Sequence, residues 1–202
     1  MDKMPKLIKN GLVSLAAATV LGGFSLVAGP ALAADYDTGD TPGFLDEIRL
    51  GVMYHDLHVK KRRQEKGVDF NGEILFAKPD WRFENVVADF ILRPRLALGG
   101  AINSAGRTSQ GYLQLNWSTY IYGPVFGEFA FGPAIHSGKL RAGLRNWRGL
   151  GCRVLFRSTF NLGFDVSENL RVMATYDHIS NANLCSPNSG LSTIGARIGY
   201  KF

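Results

Sequence analysis

Residues 170–202 read LRVMATYDHISNANLCSPNSGLSTIGARIGYKF, a strand, a polar loop and a second strand. Side chains alternate across a strand, so Leu170, Val172, Ala174, Tyr176, His178 and Ser180 share one face. On the second strand Ile194, Ala196, Ile198, Tyr200 and Phe202 share a face, and Arg197 and Lys201 point the other way. One face of the hairpin is therefore apolar, yet its first strand ends on a histidine and a serine. Imidazole can take a hydroxyl proton, so that pair is a candidate for nucleophilic catalysis.

His178-Ile179-Ser180-Asn181-Ala182, followed by Asn188-Ser189-Gly190 and a strand closing on Phe202, resembles the PagL-type lipid A 3-O-deacylases of bacterial outer membranes. The resemblance implies an all-β fold, an eight-stranded antiparallel transmembrane barrel with a serine-histidine-acid triad on its outer wall. It also implies an outer-membrane serine esterase that removes the 3-O-linked acyl chain of lipid A, with lipopolysaccharide as partner and no cofactor. By the same resemblance Ser180 is the nucleophile, His178 the general base and Asn181 the oxyanion donor. One position departs from the family pattern. The acid expected twelve residues after the serine is replaced by Ser192, a neutral group that can orient an imidazole but cannot stabilise its charge. Asp56 is a candidate substitute, because it ends the outward face of the first strand, which neighbours the eighth in a closed barrel. The competing reading is a non-catalytic outer-membrane barrel with a structural or adhesive role, which the missing acid favours.

The N-terminus supports export. Lys3, Lys6 and Lys9 precede an apolar run from Leu12 to about Val27, and Ala31-Leu32-Ala33 supplies a cleavage site. Residues 1–33 are thus read as a signal peptide and 34–202 as the barrel. Removing the leader leaves 20 basic against 16 acidic side chains, a net charge of +4. In an exported protein this suits contact with anionic lipid rather than nucleic acid. No stretch of the mature chain is long and apolar enough for a spanning helix, so a membrane form must be a closed barrel, which pairs every backbone polar group.

Alternating segments recur at 45–57, 68–77, 88–102, 110–121, 125–136 and 152–165, and the hairpin completes eight. A small barrel needs about 9–11 tilted residues per strand. The connections after odd strands, 58–67, 103–109, 137–151 and 181–190, are expected outside the cell. A secreted antiparallel sandwich is the alternative fold. The run Lys60, Lys61, Arg62, Arg63 is a candidate phosphate contact, and Arg141, Arg145 and Arg148 could join it. Cys152 and Cys185 fall near the outer ends of neighbouring strands, in an oxidising compartment where a disulfide is expected. No metal site is expected, since His55 and His58 would place their rings on opposite faces of a strand.

Overall fold

The computed structural model describes residues 43–57, 65–141, 143 and 145–202. The leader 1–33 and the run Lys60–Arg63 lie outside the described residues. Eight antiparallel strands run β1 (Leu45–Tyr54), β2 (Val68–Phe76), β3 (Arg95–Asn103), β4 (Gln110–Tyr122), β5 (Val125–His136), β6 (Val154–Asp165), β7 (Leu170–Ser180) and β8 (Leu191–Lys201). Each pairs with the next, and β8 closes on β1 from Glu47↔Lys201 to Tyr54↔Ile194. Closure removes both sheet edges, leaving no strand of the barrel to template aggregation.

Alternation sorts the side chains sharply. Leu50, Leu98, Ile102, Leu162 and Ile198 face outward and are exposed, forming a belt suited to lipid. The inward face is charged and packed. Arg49 is fully buried among Glu47 (2.7 Å), Glu73 (3.2 Å) and Glu128 (2.6 Å). Arg197 meets Glu73 (3.4 Å) and Asp177 (3.3 Å), and Arg157 meets Asp177 at 2.7 Å while stacking over Tyr112. Removing one member of such a buried pair costs about 3–5 kcal/mol, because the other is left uncompensated. Gly99 makes room for this layer: a Cβ there would stand 2.5 Å from the Tyr112 ring, whose hydroxyl donates to Glu73 Oε2 (3.0 Å).

The third strand is shorter than its sequence suggests. Residues 88–92, expected to open it, belong to helix α1 (Val86–Leu92). Asn85 caps that helix by accepting the N–H groups of Val87 and Ala88, both at 3.0 Å. Pro94 disfavours helix at Arg93 and has no N–H to give a sheet ladder, so β3 starts after it, at Arg95. One hydrogen bond links the end of the helix to the lipid-facing wall, Trp117 Nε1 donating to Ile91 O at 2.9 Å.

At the outer end, the loop 137–153 folds over the mouth. Leu150 enters a small apolar cluster with Tyr112, Ala134, Leu155, Ile179 and Leu191. Cys152 and Cys185 form a disulfide, with a Cα separation of 5.7 Å, that ties this loop to 181–190. Tying the two loops together restrains the backbone immediately beyond Ser180.

Candidate active site on the outer wall

His178 and Ser180 lie on the outward face at the outer end of β7, both half-buried. Cross-strand pairing sets their neighbours: Ser180 faces Phe156 on β6, and His178 sits between Ser158 on β6 and Ser192 on β8. Ser192 Oγ is 2.8 Å from His178 Nδ1 and 3.0 Å from the Tyr176 hydroxyl. The chain Tyr176–Ser192–His178 thus occupies the orienting side of the imidazole, and Ser192 is only 8% exposed. Gly190, at φ +50°, lies along the ring's other edge; a Cβ there would be 3.1 Å from Cε1 and 3.4 Å from Nε2. A larger residue would crowd the nitrogen that faces away from Ser192.

An aromatic wall continues from Ser180 down the barrel. Phe156 stacks with Phe131 (centroids 5.9 Å apart), and Phe129 packs with Phe160 (5.0 Å) and Trp117 (6.0 Å). These rings line the lipid side of β4, β5 and β6.

Two expected site residues are placed elsewhere. Asp56 does not continue the outward face of β1. It adopts φ +57°, turns inward and is fully buried, accepting Arg148 Nε at 2.6 Å and the Glu65 N–H at 2.8 Å. The strand ends at Tyr54, so strand parity no longer governs it. Asn181 is also buried, and its Nδ2 donates to the carbonyls of Leu150 (2.9 Å), Cys185 (3.0 Å) and Pro187 (3.0 Å). Its side-chain amide is spent on fixing the loop rather than turned toward an oxyanion. Asp177, as its parity requires, stays in the lumen with Arg157 and Arg197.

Beneath the mouth, His55 Nδ1 is 2.7 Å from Asp69 and Nε2 is 3.1 Å from Glu65. Burial disfavours the His55 cation, but hydrogen bonds to the two carboxylates outweigh it and push the group up to about 9. His136 Nε2 lies 2.7 Å from Cys152 O. These partners differ for each ring, and among the described residues no three metal-ligating side chains converge.

Tyr176 and Gly190 are the members that sequence reasoning missed. Tyr176 was legible as an outward neighbour of His178 two residues upstream. Its link to Ser192 depends on the β7–β8 register.

A closed eight-stranded barrel with a lipid-facing belt and a polar, packed lumen defines a small outer-membrane protein. The lipid A 3-O-deacylase (PagL) family profile matches residues 67–201, most of the chain, and the chain belongs to that family. The crystal structure of the outer membrane enzyme PagL superposes with a TM-score of 0.56 at 18% identity, over 76% of this chain and 97% of that one. The N-terminal barrel domain of Pseudomonas aeruginosa OprF gives 0.50 at 13% identity, over 79% and 98%. No curated protein sequence matches.

Proposed function

We propose that this chain is a serine esterase of the outer membrane that hydrolyses the ester holding the 3-hydroxyacyl chain at the 3-position of lipid A. The observation that carries the reading is the 2.8 Å contact between Ser192 Oγ and His178 Nδ1, beside Ser180 on the lipid-facing wall. With Nδ1–H donating to Ser192, the lone pair of Nε2 is the base. Ser180 Oγ attacks the acyl carbonyl as Nε2 takes its proton. The tetrahedral intermediate collapses, the glucosamine oxygen leaves with that proton, and an acyl-enzyme remains. Water then attacks as Nε2 takes a proton from it; that proton returns to Ser180, and the 3-hydroxy fatty acid departs.

Ser192 fixes the tautomer and orientation of the ring, and Tyr176 holds Ser192. Neither brings a negative charge, so position 192 supports the imidazolium by hydrogen bonding rather than by charge, and the reaction runs slower than with a carboxylate there. The aromatic wall of Phe156, Phe131 and Phe160 gives the acyl chain an apolar surface beside the ester. The hydrogen bonds of Asn181 hold the loop that follows the nucleophile.

The test is release of 3-hydroxy fatty acid from lipid A by purified protein in mixed micelles. Ser180→Ala and His178→Ala should each abolish it while the barrel stays heat-modifiable on gels, since members of one catalytic unit fail together. Undiminished release by Ser180→Ala would overturn the assignment of the nucleophile. The neutral Ser192 favours a second reading, a non-catalytic barrel with a structural or adhesive role, and that reading predicts no release by the wild type.

A further inference from the structure

The outer-mouth loops 104–109 and 137–153 hold six basic residues and no Asp or Glu. Two of those charges are used internally. Arg148 pairs with Asp56 at 2.6 Å, and Arg153 donates to the carbonyls of His136 (2.7 Å) and Gly138 (3.2 Å). Arg107 and Lys139, from different loops, approach one ring: Arg107 Cζ is 4.9 Å and Lys139 Nζ 5.1 Å from the centroid of Trp147. Among the described residues neither cation has a carboxylate partner, and Arg107 Nε is buried without an acceptor.

The arrangement is built rather than incidental. The buried Glu65 carboxylate accepts the N–H of Thr108 (3.0 Å) and of Arg148 (2.8 Å), the residues that follow Arg107 and Trp147. Asn103 Oδ1 accepts the Arg107 N–H at 3.1 Å. One staple therefore sets the two loops side by side and brings both cations to the ring. Glu65 itself is turned to His55, so its charge is met from within. A ring beneath a cation attracts it but does not neutralise its charge, so the two cations still repel one another across Trp147. An anion with several oxygens would relieve the repulsion between the cations and accept from the terminal guanidinium nitrogens of Arg107. A phosphate monoester fits, being dianionic and able to take the guanidinium in bidentate fashion.

We propose that Arg107, Lys139 and Trp147 form a phosphate-binding site at the outer mouth, which receives the phosphate monoester of a lipid A-type head group. The choice of lipid rests on the deacylase reading; the phosphate chemistry rests on the cluster alone.

The experiment uses full-length Ser180→Ala protein in detergent micelles, so that binding is measured without turnover. Calorimetric titrations compare bisphosphorylated lipid A with the same lipid stripped of phosphate, and inorganic phosphate serves as a competitor. The phosphorylated lipid should bind about tenfold tighter. Adding Arg107→Gln and Lys139→Gln should erase that preference, whereas Arg107→Lys should keep most of it; heat-modifiable mobility checks that each barrel is folded. Displacement by millimolar inorganic phosphate would assign recognition to the phosphate itself. Failure to displace, with the preference still lost in the double variant, would assign it to the lipid-borne monoester. A parent without the preference, or a preference that survives in the double variant, would overturn the site. Wild-type protein that shows the preference but releases no fatty acid would refute the deacylase reading and leave the site standing.

Discussion

Placing a carboxylate at position 192 is the sharpest perturbation available. Ser192 Oγ stands 2.8 Å from His178 Nδ1 and is almost wholly buried, so Ser192→Glu would set a negative charge beside the imidazolium that forms as Ser180 is deprotonated. Two unit charges about 4 Å apart attract by ~4 kcal/mol at an effective dielectric near 20, and by ~1 kcal/mol in water. His178 is half-buried on a wall between lipid and water, and the new carboxylate must itself be desolvated. A net gain of about 1.4–2.7 kcal/mol follows, a rate increase of roughly ten- to a hundredfold. Fatty acid release is measured for wild type, Ser192→Glu and the neutral, similarly sized Ser192→Gln. Asp56→Asn should leave the rate unchanged, because Asp56 is turned to Arg148. If Ser192→Glu and Ser192→Gln release at the same rate, or if Asp56→Asn slows release, a charge at position 192 does not act on His178 in this way.

Tyr176→Phe removes the hydroxyl that holds Ser192; losing one hydrogen bond of about 0.5–1.5 kcal/mol should slow release roughly three- to tenfold without unfolding the barrel. His55 is raised from 6.5 to about 9, so its contribution to stability is fully present below about 6.5 and is lost as pH rises through about 9. That contribution is about 3 kcal/mol; the unfolding midpoint should therefore fall between pH 7 and pH 10, and His55→Gln should flatten the decline. Asn181→Asp puts a carboxylate against the carbonyls of Leu150, Cys185 and Pro187, and should speed proteolysis of the 181–190 loop while strands β1 to β8 stay protected.

Strand parity made most of the barrel legible, because one face meets lipid and the other a charged lumen. The hairpin 170–202 carries this most clearly: Arg171, Asp177, Arg197 and Lys201 all point inward. Parity failed where the strands stop. Asp56 and Asn181 each lie within two residues of a strand end, and there a left-handed turn or a side-chain clamp sets the direction. In 86–92 the apolar run masked a helix whose signals were present, namely Asn85 as cap, Asp89 in the first turn and Pro94 beyond the end. The contacts of Ser192 needed register, since Tyr176 and His178 reach it only when His178 pairs directly with Ser192. The Arg107–Trp147–Lys139 cluster was out of reach for a related reason. It joins two loops through Glu65, a contact between residues far apart in the chain that alternation says nothing about.

On the proposed reading, Ser180 and His178 cleave the 3-O-acyl ester of lipid A although position 192 carries no charge. Mass spectrometry of lipid A from cells that express the wild-type chain, Ser180→Ala or no copy tests it most directly. Wild-type cells should contain lipid A lighter by one 3-hydroxyacyl chain, lost from the 3-position, and Ser180→Ala cells should match those without the protein. Unchanged lipid A in cells whose outer membrane contains the folded wild-type barrel would contradict it, as would the same mass loss in Ser180→Ala cells.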